Sequence, residues 1–368
     1  MRGFRTALSY PLYRKGSSTP CSKSHLEQEW GKTVLENVAR NSYKPDPLSG
    51  SVLQAMIEII RYTSAKQLDW DAFVQGAKNG TFLFQRAYQD YHADRFPDHS
   101  YMFLHNGELT ALLPASRIGL ELSSHGGLTF GGILSDARMT TPLMLEIFDS
   151  LLPRLREDGI ERFIYKSCPA FYHVLPADED AYALVRHGAR LFRRDVTSIL
   201  HPAMHPDFQQ RRQRSIKKAM NAGLEVRESA DIPSFWKILE ETLHTRHGIK
   251  PVHTLKEIQV LHQRFPANIR LFAAFARSDM LAGTLVFETP RVAHTQYSAS
   301  SLAGREASAL DLLFSELILR VFFEKLWFSF GISTEDGGRA LNQGLIKHKE
   351  GFGARACVQD FYELNLKE

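Results

Sequence analysis

The chain has 368 residues, of which 43% are hydrophobic and 23% are charged, and its net charge is +4. These numbers fit a globular protein of two domains, and so mild a charge does not by itself suggest a nucleic-acid-binding protein. The most apolar stretch, residues 310–330, contains five charged side chains. It therefore lacks the roughly 18 uninterrupted apolar residues of a membrane-spanning helix, and we predict a chain that crosses no membrane.

The three cysteines, Cys21, Cys168 and Cys357, stand far apart in the sequence. They have neither the spacing of metal ligands nor the even number of a disulfide framework. We therefore expect no metal site and no disulfide. A reducing compartment follows, so we predict a cytoplasmic protein.

The N-terminal 23 residues contain five basic side chains, and the first acidic residue of the chain is Glu27. That composition is similar to a transit peptide, but the stretch sustains no apolar face. Regular hydrophobic patterning begins only near Met56. We favour the interpretation that residues 1–55 form a disordered N-terminal extension, with Met56 as an alternative start.

Strand and helix patterns alternate after Met56. Residues 57–62 read as a strand, and residues 70–78 read as a helix. Asn106-Gly107 predicts a tight turn between strands at 101–105 and 109–114, because both turn residues tolerate positive φ. Apolar side chains spaced by three and four residues then predict a helix from 141 to 159, followed by a buried strand over 160–165.

The second half of the chain repeats this order. We predict strands at 224–228, 269–276, 280–288, 293–300 and 327–332, and helices at 234–244 and from 310 to about 324. Trp70 and Trp236 stand 166 positions apart, and Gly188-Ala189-Arg190 returns 165 positions later as Gly353-Ala354-Arg355. A constant offset of this kind indicates a tandem duplication.

Each repeated unit reads as a strand, helices, three antiparallel strands, a long helix, a strand, a helix and terminal strands. That order resembles the GNAT (acetyltransferase) fold. We therefore predict an α/β protein of two tandem GNAT-like domains, each a mixed, mostly antiparallel sheet flanked by helices. The predicted boundaries are 56–203 for the first domain, 204–223 for a basic linker helix and 224–368 for the second domain.

Three further segments resemble the FemAB group of transferases. They are the basic helix that enters a strand at 214–226, the glycine-rich segment 125–132, and the pair 328–331 and 349–353 near the C-terminus. The likeness spans about residues 57–366. It implies a transferase that moves an acyl or aminoacyl group from an activated carrier to an amine, commonly on a peptidoglycan or polysaccharide precursor.

The sequence does not identify the molecule that donates the acyl group. GNAT enzymes that use acetyl-coenzyme A usually bind its pyrophosphate in a glycine-rich turn at a helix start. The corresponding segment here, residues 301–309, contains one glycine, Gly304. We expect no tightly bound cofactor; acyl-coenzyme A is the expected co-substrate, and an aminoacyl-tRNA or a carrier protein remains an alternative donor.

The GNAT resemblance places the acyl group beside the fourth strand, here residues 294–298. We expect Tyr297 to act as the acid, Glu288 to take a proton from the amine, and His294 to join them as a catalytic residue. The residues predicted to bind the donor are Gln296, Ser298, Ser300, Gly304 and Arg305. A satisfied hydrogen-bond network in the core is the alternative interpretation of this polar strand.

Aromatic rings beside cations suit a sugar or a phosphate-bearing acceptor, since the ring stacks and the cation pairs with the phosphate. The residues predicted to bind the acceptor are Tyr91, His92, Arg95, Tyr165, Lys166, Glu335, Asn342 and Lys347. We expect this acceptor to be a small molecule or a glycan precursor such as an amino sugar.

Two other classes of protein remain open. Degenerate GNAT domains could form a non-catalytic module that binds a glycan or a nucleotide-sugar. The five cations of the linker helix, between 211 and 218, could contact RNA or, at the periphery, an anionic membrane. We expect no DNA partner.

Overall fold

Three sheets organise residues 57–367, the part of the chain that the computed structural model describes. The predicted extension, residues 1–55, lies outside the described residues. The strands of the described part are arranged as one sheet of four strands, one of ten and one of two.

The first half contains four helices and eight strands within the described residues. The helices are α1 (Gln67–Gly76), α2 (Arg86–Gln89), α3 (Thr141–Glu157) and α4 (Glu179–Arg186). The strands are β1 (Ile57–Arg61), β2 (Tyr101–His105), β3 (Glu108–Leu113), β4 (Ser116–Ile118), β5 (Glu121–Ser123), β6 (Leu134–Ser135), β7 (Arg162–Lys166) and β8 (Arg190–Leu200).

The second half begins with the basic helix. Its helices are α5 (Gln210–Asn221), α6 (Ile232–His247), α7 (Leu255–Arg264), α8 (Leu302–Glu306), α9 (Ala309–Glu316) and α10 (Gln343–Glu350). Its strands are β9 (Glu225–Ser229), β10 (Ile269–Ala276), β11 (Asp279–Glu288), β12 (Val292–Ser300), β13 (Trp327–Ile332), β14 (Thr334–Glu335), β15 (Ala340–Leu341) and β16 (Arg355–Asn365).

The two halves share the ten-stranded sheet because they exchange their last strands. The sheet order is β4-β5-β7-β16-β8-β13-β12-β11-β10-β9. Strand β8 ends the first half but pairs antiparallel with β13, whereas β16 ends the chain and pairs antiparallel with β7. β8 and β16 also pair with each other. Side chains from both halves therefore meet on the faces of one continuous sheet.

The repeat predicted from the sequence is visible in this exchange. β8 begins at 190 and ends at 200, and β16 begins at 355 and ends at 365, so both strands keep the offset of 165. Trp70 and Trp236 are both buried and belong to one apolar cluster that contains residues of both halves. The prediction of two tandem GNAT-like domains is confirmed as a fold, with the correction that their sheets are continuous. The exact domain boundaries stay a prediction.

Local signals explain where helices α3 and α7 begin. The Thr140 hydroxyl accepts a hydrogen bond from the Leu143 N–H, and Pro142 sits in the first turn, so α3 begins where the sequence predicts. Helix α7 was absent from the prediction, although Thr254 and Glu257 form a complete capping box at its start. The long helix predicted from 310 to about 324 is shorter: α9 ends at Glu316 and a π-helical turn, Leu317–Val321, follows it.

Candidate active site

Strands β12 and β13 run parallel but separate after a short pairing. The partners are Val292 with Trp327, Ala293 with Phe328 and His294 with Ser329. Strand β12 continues to Ser300, and among residues 57–367 no strand pairs with this edge of it beyond His294. We call this gap between β12 and β13 the slot. A slot at this place is what the GNAT resemblance implies.

A β-bulge lies on β12 beside the slot. On the opposite edge of β12, Tyr297 faces Leu285 and Thr295 faces Val286, so Gln296 has no partner on β11. A bulged residue stands outside the ladder and bends its strand. Gln296 therefore has no ladder partner on β11, and it lies beyond the last residue of β12 that pairs with β13.

A cavity of about 740 Å³ covers the sheet where the slot opens, and we call it the sheet cleft. Thr295 and Gln296 of β12 and Gly331 of β13 line it. Residues of strands β5, β7, β8 and β16 also line it, so the cleft depends on the exchanged strands. Its aromatic lining consists of Phe96, Phe130, Phe171, Tyr172, Phe192, Phe330 and Phe361.

His294 is the ionisable group at the junction of the slot and the cleft. Its Nδ1 lies 3.0 Å from the Ser329 Oγ, which fixes the plane of the ring. Burial, and secondarily the nearby Lys349 ammonium, lowers the pKa of His294 to about 4. The imidazole is therefore neutral near pH 7 and can accept a proton.

Asp195 is the buried carboxylate of the cleft. One of its oxygens accepts hydrogen bonds from Arg193, with the Nε at 2.9 Å, and the other accepts one from the Thr334 Oγ1 at 2.7 Å. The Arg193 guanidinium also lies 4.5 Å from the centre of the Phe361 ring. A planar ion pair beside an aromatic face presents both polar and stacking surfaces to a ligand.

Lys166 lines the same cleft from strand β7. Its ammonium donates hydrogen bonds to the carbonyls of His125, Gly126 and Leu128 at 2.9 to 3.0 Å. Burial, and after it the Arg193 charge, lowers the pKa of Lys166 to about 8. Three carbonyl partners occupy all three donors of the ammonium, so it holds the glycine-rich segment in place.

A second cavity, of about 460 Å³, adjoins the other end of β12, and we call it the basic cavity. Ser298 and Ser300 of β12 line it, together with Arg211 and Arg212 of α5 and Arg305 of α8. The carboxylate in its wall, Asp311, accepts a hydrogen bond from Arg212 at 2.5 Å. Because that pair neutralises itself, Arg211 and Arg305 leave the cavity with a net positive charge.

His348 adds a hydrogen-bond donor to the basic cavity. The Arg212 guanidinium donates to its Nδ1 at 2.9 Å, so Nδ1 accepts and the proton of the neutral ring is on Nε2. Burial, followed by the Arg212 charge, lowers the pKa of His348 and keeps the ring neutral. Two guanidinium groups, an imidazole N–H and serine hydroxyls form a set of donors suited to phosphate oxygens.

The structure brings seven of the predicted site residues to these two cavities. His294, Gln296 and Lys166 line the sheet cleft. Ser298, Ser300, Gly304 and Arg305, all predicted to bind the donor, line the basic cavity. Gly304 is closely packed there, because a β-carbon at this position would lie 2.2 Å from the Leu281 carbonyl oxygen.

Two residues predicted to be catalytic lie elsewhere. Glu288 is paired with Arg270 and Lys325, each at 2.9 Å, and lines neither cavity. The Tyr297 hydroxyl lies 2.6 Å from His253 Nδ1, and its ring packs edge-on against Trp236. Tyr297 therefore belongs to the apolar cluster around Trp236 and lines neither cavity.

Most of the predicted acceptor residues also lie outside both cavities. Tyr91 and His92 stack on each other at the contact between the two halves, where Arg95 pairs with Glu257. The Tyr165 hydroxyl is fully buried and donates to Asp180. Asn342 caps α10 and donates to Glu335, while Lys347 is exposed on that helix.

Residues of the exchanged strands were missing from the sequence prediction. Asp195 and Thr197 of β8, and Gln359 and Phe361 of β16, all line the cleft. Arg193, Asp195 and Thr197 stand at every second position of β8, and this spacing could have marked one face of the strand for function. The sequence does not show that β8 and β16 cross between the halves, so it does not show what that face meets.

No protein-family model matches this chain, and no curated protein matches it by sequence. Solved structures do match. FemX aligns with a TM-score of 0.59 at 12% identity, over 84% of this chain and 98% of FemX. The chain has the fold of FemX. L-PGS from Bacillus licheniformis aligns with a TM-score of 0.57 at 13% identity, over 84% of this chain and 93% of that chain.

A third match is the C-terminal domain (DUF2156) of a candidate lysylphosphatidylglycerol synthetase from Agrobacterium fabrum. It aligns with a TM-score of 0.55 at 13% identity, over 82% of this chain and 92% of that chain. The resemblance to the FemAB-like fold is thus confirmed over most of the described chain, and at these identities it concerns the fold alone.

The described residues contain no helix that is long and apolar enough to span a membrane. Within the same residues, no group of three or more His, Cys, Asp or Glu side chains is placed to hold a metal ion.

Proposed function

We propose that this chain is an N-acyltransferase that moves an acyl or aminoacyl group from an activated carrier to an amine. The observation that carries the proposal is the course of strand β12. It passes from the sheet cleft, which contains His294, along the slot and into the wall of the basic cavity. One strand therefore connects a proton acceptor, a place for an acyl group and a set of phosphate-binding groups.

The basic cavity takes the phosphates of the donor in this proposal, and the slot takes its acyl arm. The N-terminus of α8 offers one N–H group fewer to a phosphate, because the Ser301 hydroxyl already accepts the Gly304 N–H. Arg211, Arg305 and the His348 Nε2–H bind the phosphates instead. This arrangement supports acyl-coenzyme A as the donor even though the glycine-rich turn is absent.

The sheet cleft takes the acceptor. Phe96 and Phe192 are the most exposed aromatic side chains of the lining and offer faces on which a sugar ring can stack, and the Arg193–Asp195 pair can bind its hydroxyl groups. We propose an amino sugar, free or as part of a cell-envelope precursor, with its amine directed towards the slot.

The reaction then needs no covalent enzyme intermediate. The acceptor reacts as its free amine, which forms a C–N bond with the acyl carbon, and His294 takes the proton that the nitrogen loses once this bond has formed. Backbone N–H groups at the bulge stabilise the oxyanion, and the C–S bond of a thioester breaks as the thiolate leaves. Because a thiol has a pKa of about 8.5, the thiolate can depart before it is protonated from solvent.

Two measurements test this proposal. Calorimetric titration with acetyl-coenzyme A and with a longer acyl-coenzyme A should show saturable binding to the purified chain. With glucosamine or another amino sugar added, thiol release should follow acyl transfer, and His294→Gln should abolish that release while it leaves donor binding unchanged. Binding of neither coenzyme A thioester would contradict acyl-coenzyme A as donor and favour an aminoacyl-tRNA or a carrier protein.

A further inference from the structure

Helix α5 presents a strongly cationic surface to solvent. Its exposed cations are Arg211, Arg214, Lys217 and Lys218. The helix contains no acidic residue, and within the part of the chain that the structure describes its one salt bridge joins the buried Arg212 to Asp311. The four exposed charges are therefore available to a partner.

These cations lie on one side of the helix, and that side begins at the basic cavity. Arg211 lines the cavity, whereas the other three cations do not. Each residue of an α-helix is rotated by about 100° from the one before it, because one turn takes 3.6 residues. Lys218, Arg214 and Lys217 therefore follow Arg211 around the helix in that order, over an arc of about 120°. We call these three residues the cationic arc.

Helix α8, on the cavity wall, adds an exposed apolar side chain. α8 contributes Gly304 and Arg305 to the lining of the cavity, and Leu302 in its first turn is 67% exposed. A protein partner can cover an apolar side chain together with charges, whereas contacts to the phosphates of RNA leave that side chain in water. The surroundings of the cavity therefore suit an acidic protein better than RNA.

The distance from the basic cavity to His294 indicates how the donor carries its acyl group. Ser298 lines the cavity and stands four positions after His294 on β12, which is about 14 Å at ~3.4 Å per residue. A phosphopantetheine arm has about thirteen bonds between phosphorus and sulfur and so reaches about 15 Å, at ~3.5 Å per three bonds. In an aminoacyl-tRNA the acyl carbon is only about six bonds, or ~7 Å, from the nearest phosphorus. A phosphate in the cavity thus fits a pantetheine arm.

We propose that the cationic arc docks an acidic carrier protein, which brings the acyl group into the basic cavity on its phosphopantetheine arm. This inference rests on the proposed function in one respect, the transfer of an acyl group from a thioester. Coenzyme A has the same arm, so it occupies the cavity and leaves the cationic arc uncovered. The carrier departs with a free thiol, as coenzyme A does in the reaction above.

Binding of a purified bacterial acyl carrier protein, acetylated on its pantetheine thiol, tests the proposal. Arg214→Gln, Lys217→Gln and Lys218→Gln, combined in one arc variant, should weaken carrier binding at least tenfold, because the acidic partner loses its complementary charges. The arc variant should bind acetyl-coenzyme A within threefold of wild type, since its three positions lie outside the cavity and exposed charges are screened at about 0.15 M salt. Calorimetry at that salt concentration measures both affinities.

A second triple variant is the matched control. Arg186→Gln, Lys237→Gln and Lys256→Gln remove the same charge from exposed positions of α4, α6 and α7, outside the basic cavity. This control variant should bind the acetylated carrier within twofold of wild type. Equal carrier affinities of the arc variant and the control variant would overturn the inference, because only the net charge of the protein would then matter.

Two other anionic partners are distinguished by the same variants. Unfractionated tRNA and vesicles of phosphatidylglycerol and phosphatidylcholine are the probes. If the arc variant loses binding to either probe but keeps the carrier affinity of the control variant, the cationic arc serves RNA or a membrane and the inference is wrong.

Acetyl-coenzyme A separates this inference from the proposed function. If the wild type binds acetyl-coenzyme A but not the acetylated carrier, the inference fails alone. If the wild type binds the carrier through the cationic arc but does not bind acetyl-coenzyme A, the inference stands and the carrier replaces coenzyme A as the donor. If neither thioester binds, both proposals fail.

Discussion

Gly331 lies directly against the imidazole of His294, so that a β-carbon on Gly331 would come within 3.2 Å of the His294 Cε1. The contact and the positive φ of this glycine together predict the effect of Gly331→Ala. A non-glycine residue in the left-handed region costs about 1 to 2 kcal/mol, and the added methyl group must also displace the ring. We expect the free energy of unfolding to fall by about 2 kcal/mol and the pKa of His294 to rise towards 6.5 as the ring gains solvent.

Urea unfolding and NMR titration of the histidine rings measure these two effects. Gly107→Ala is the control, since Gly107 also has a positive φ, of 82°, but has no atom within 4 Å of the added carbon. It should lower stability by about 1 kcal/mol and leave the His294 titration unchanged. Equal His294 titrations in Gly331→Ala and wild type would show that the glycine serves the backbone alone.

Much of the fold follows from local signals in the sequence. Asn106-Gly107 marks the hairpin between β2 and β3, and both residues have positive φ, as a tight turn requires. The apolar strands β10 to β13 lie within one or two residues of their predicted positions. Local patterns cannot predict the exchange of β8 and β16, because pairing partners depend on contacts between residues far apart in the chain.

The same dependence on distant contacts explains which residues of the candidate site the sequence predicted and which it missed. His294 and Gln296 were predicted because the fold resemblance names their strand, and they do line the cleft. Tyr297 was predicted to act as the acid, but its hydroxyl contacts His253 outside both cavities. The bulge at Gln296 interrupts the alternation of β12, so the sequence pattern does not assign side chains beyond it to the correct face. Asp195 and Gln359 reach the cleft only through the exchanged strands, so no local pattern identifies their partners.

Buried neutral histidines make a prediction about acid stability. Burial lowers the pKa of His92, His253 and His294 to about 4, against about 6.5 in the unfolded chain. Between those values the unfolded state binds more protons, so stability is greatest above pH 6.5 and is lost as the pH falls to 4. Each ring contributes a slope of about 1.4 kcal/mol per pH unit in that window.

Urea unfolding at pH 7, 6 and 5 checks this slope. His92→Leu should reduce the slope by one histidine's share, because it removes one buried ring. His244→Gln, at an exposed histidine of α6, should leave the slope unchanged. A stability that does not vary between pH 7 and pH 5 would contradict the assignment of neutral buried rings.

The two guanidinium groups of the basic cavity predict a charge-dependent donor affinity. Arg211→Ala and Arg305→Ala should each weaken acetyl-coenzyme A binding about tenfold, since a hydrogen bond to a charged group contributes about 1.5 to 3 kcal/mol. Binding should also weaken as salt is raised, and less steeply in each variant than in the wild type. Calorimetry at two salt concentrations measures both effects.

Arg186→Ala supplies the comparison for these variants, because Arg186 is exposed on α4 and lines neither cavity. Its donor affinity and salt dependence should equal those of the wild type. If all three alanine variants bind the donor alike, the phosphates do not enter the basic cavity.

Tyr297→Phe distinguishes a structural tyrosine from a catalytic one. The Tyr297 hydroxyl contacts His253 Nδ1 and lines neither cavity, so its loss leaves one buried ring nitrogen without its partner. We expect the free energy of unfolding to fall by about 1 to 3 kcal/mol. Donor affinity should stay within twofold of wild type, and turnover with an amino sugar should fall only modestly. A hundredfold loss of turnover at unchanged stability would instead restore Tyr297 as the acid.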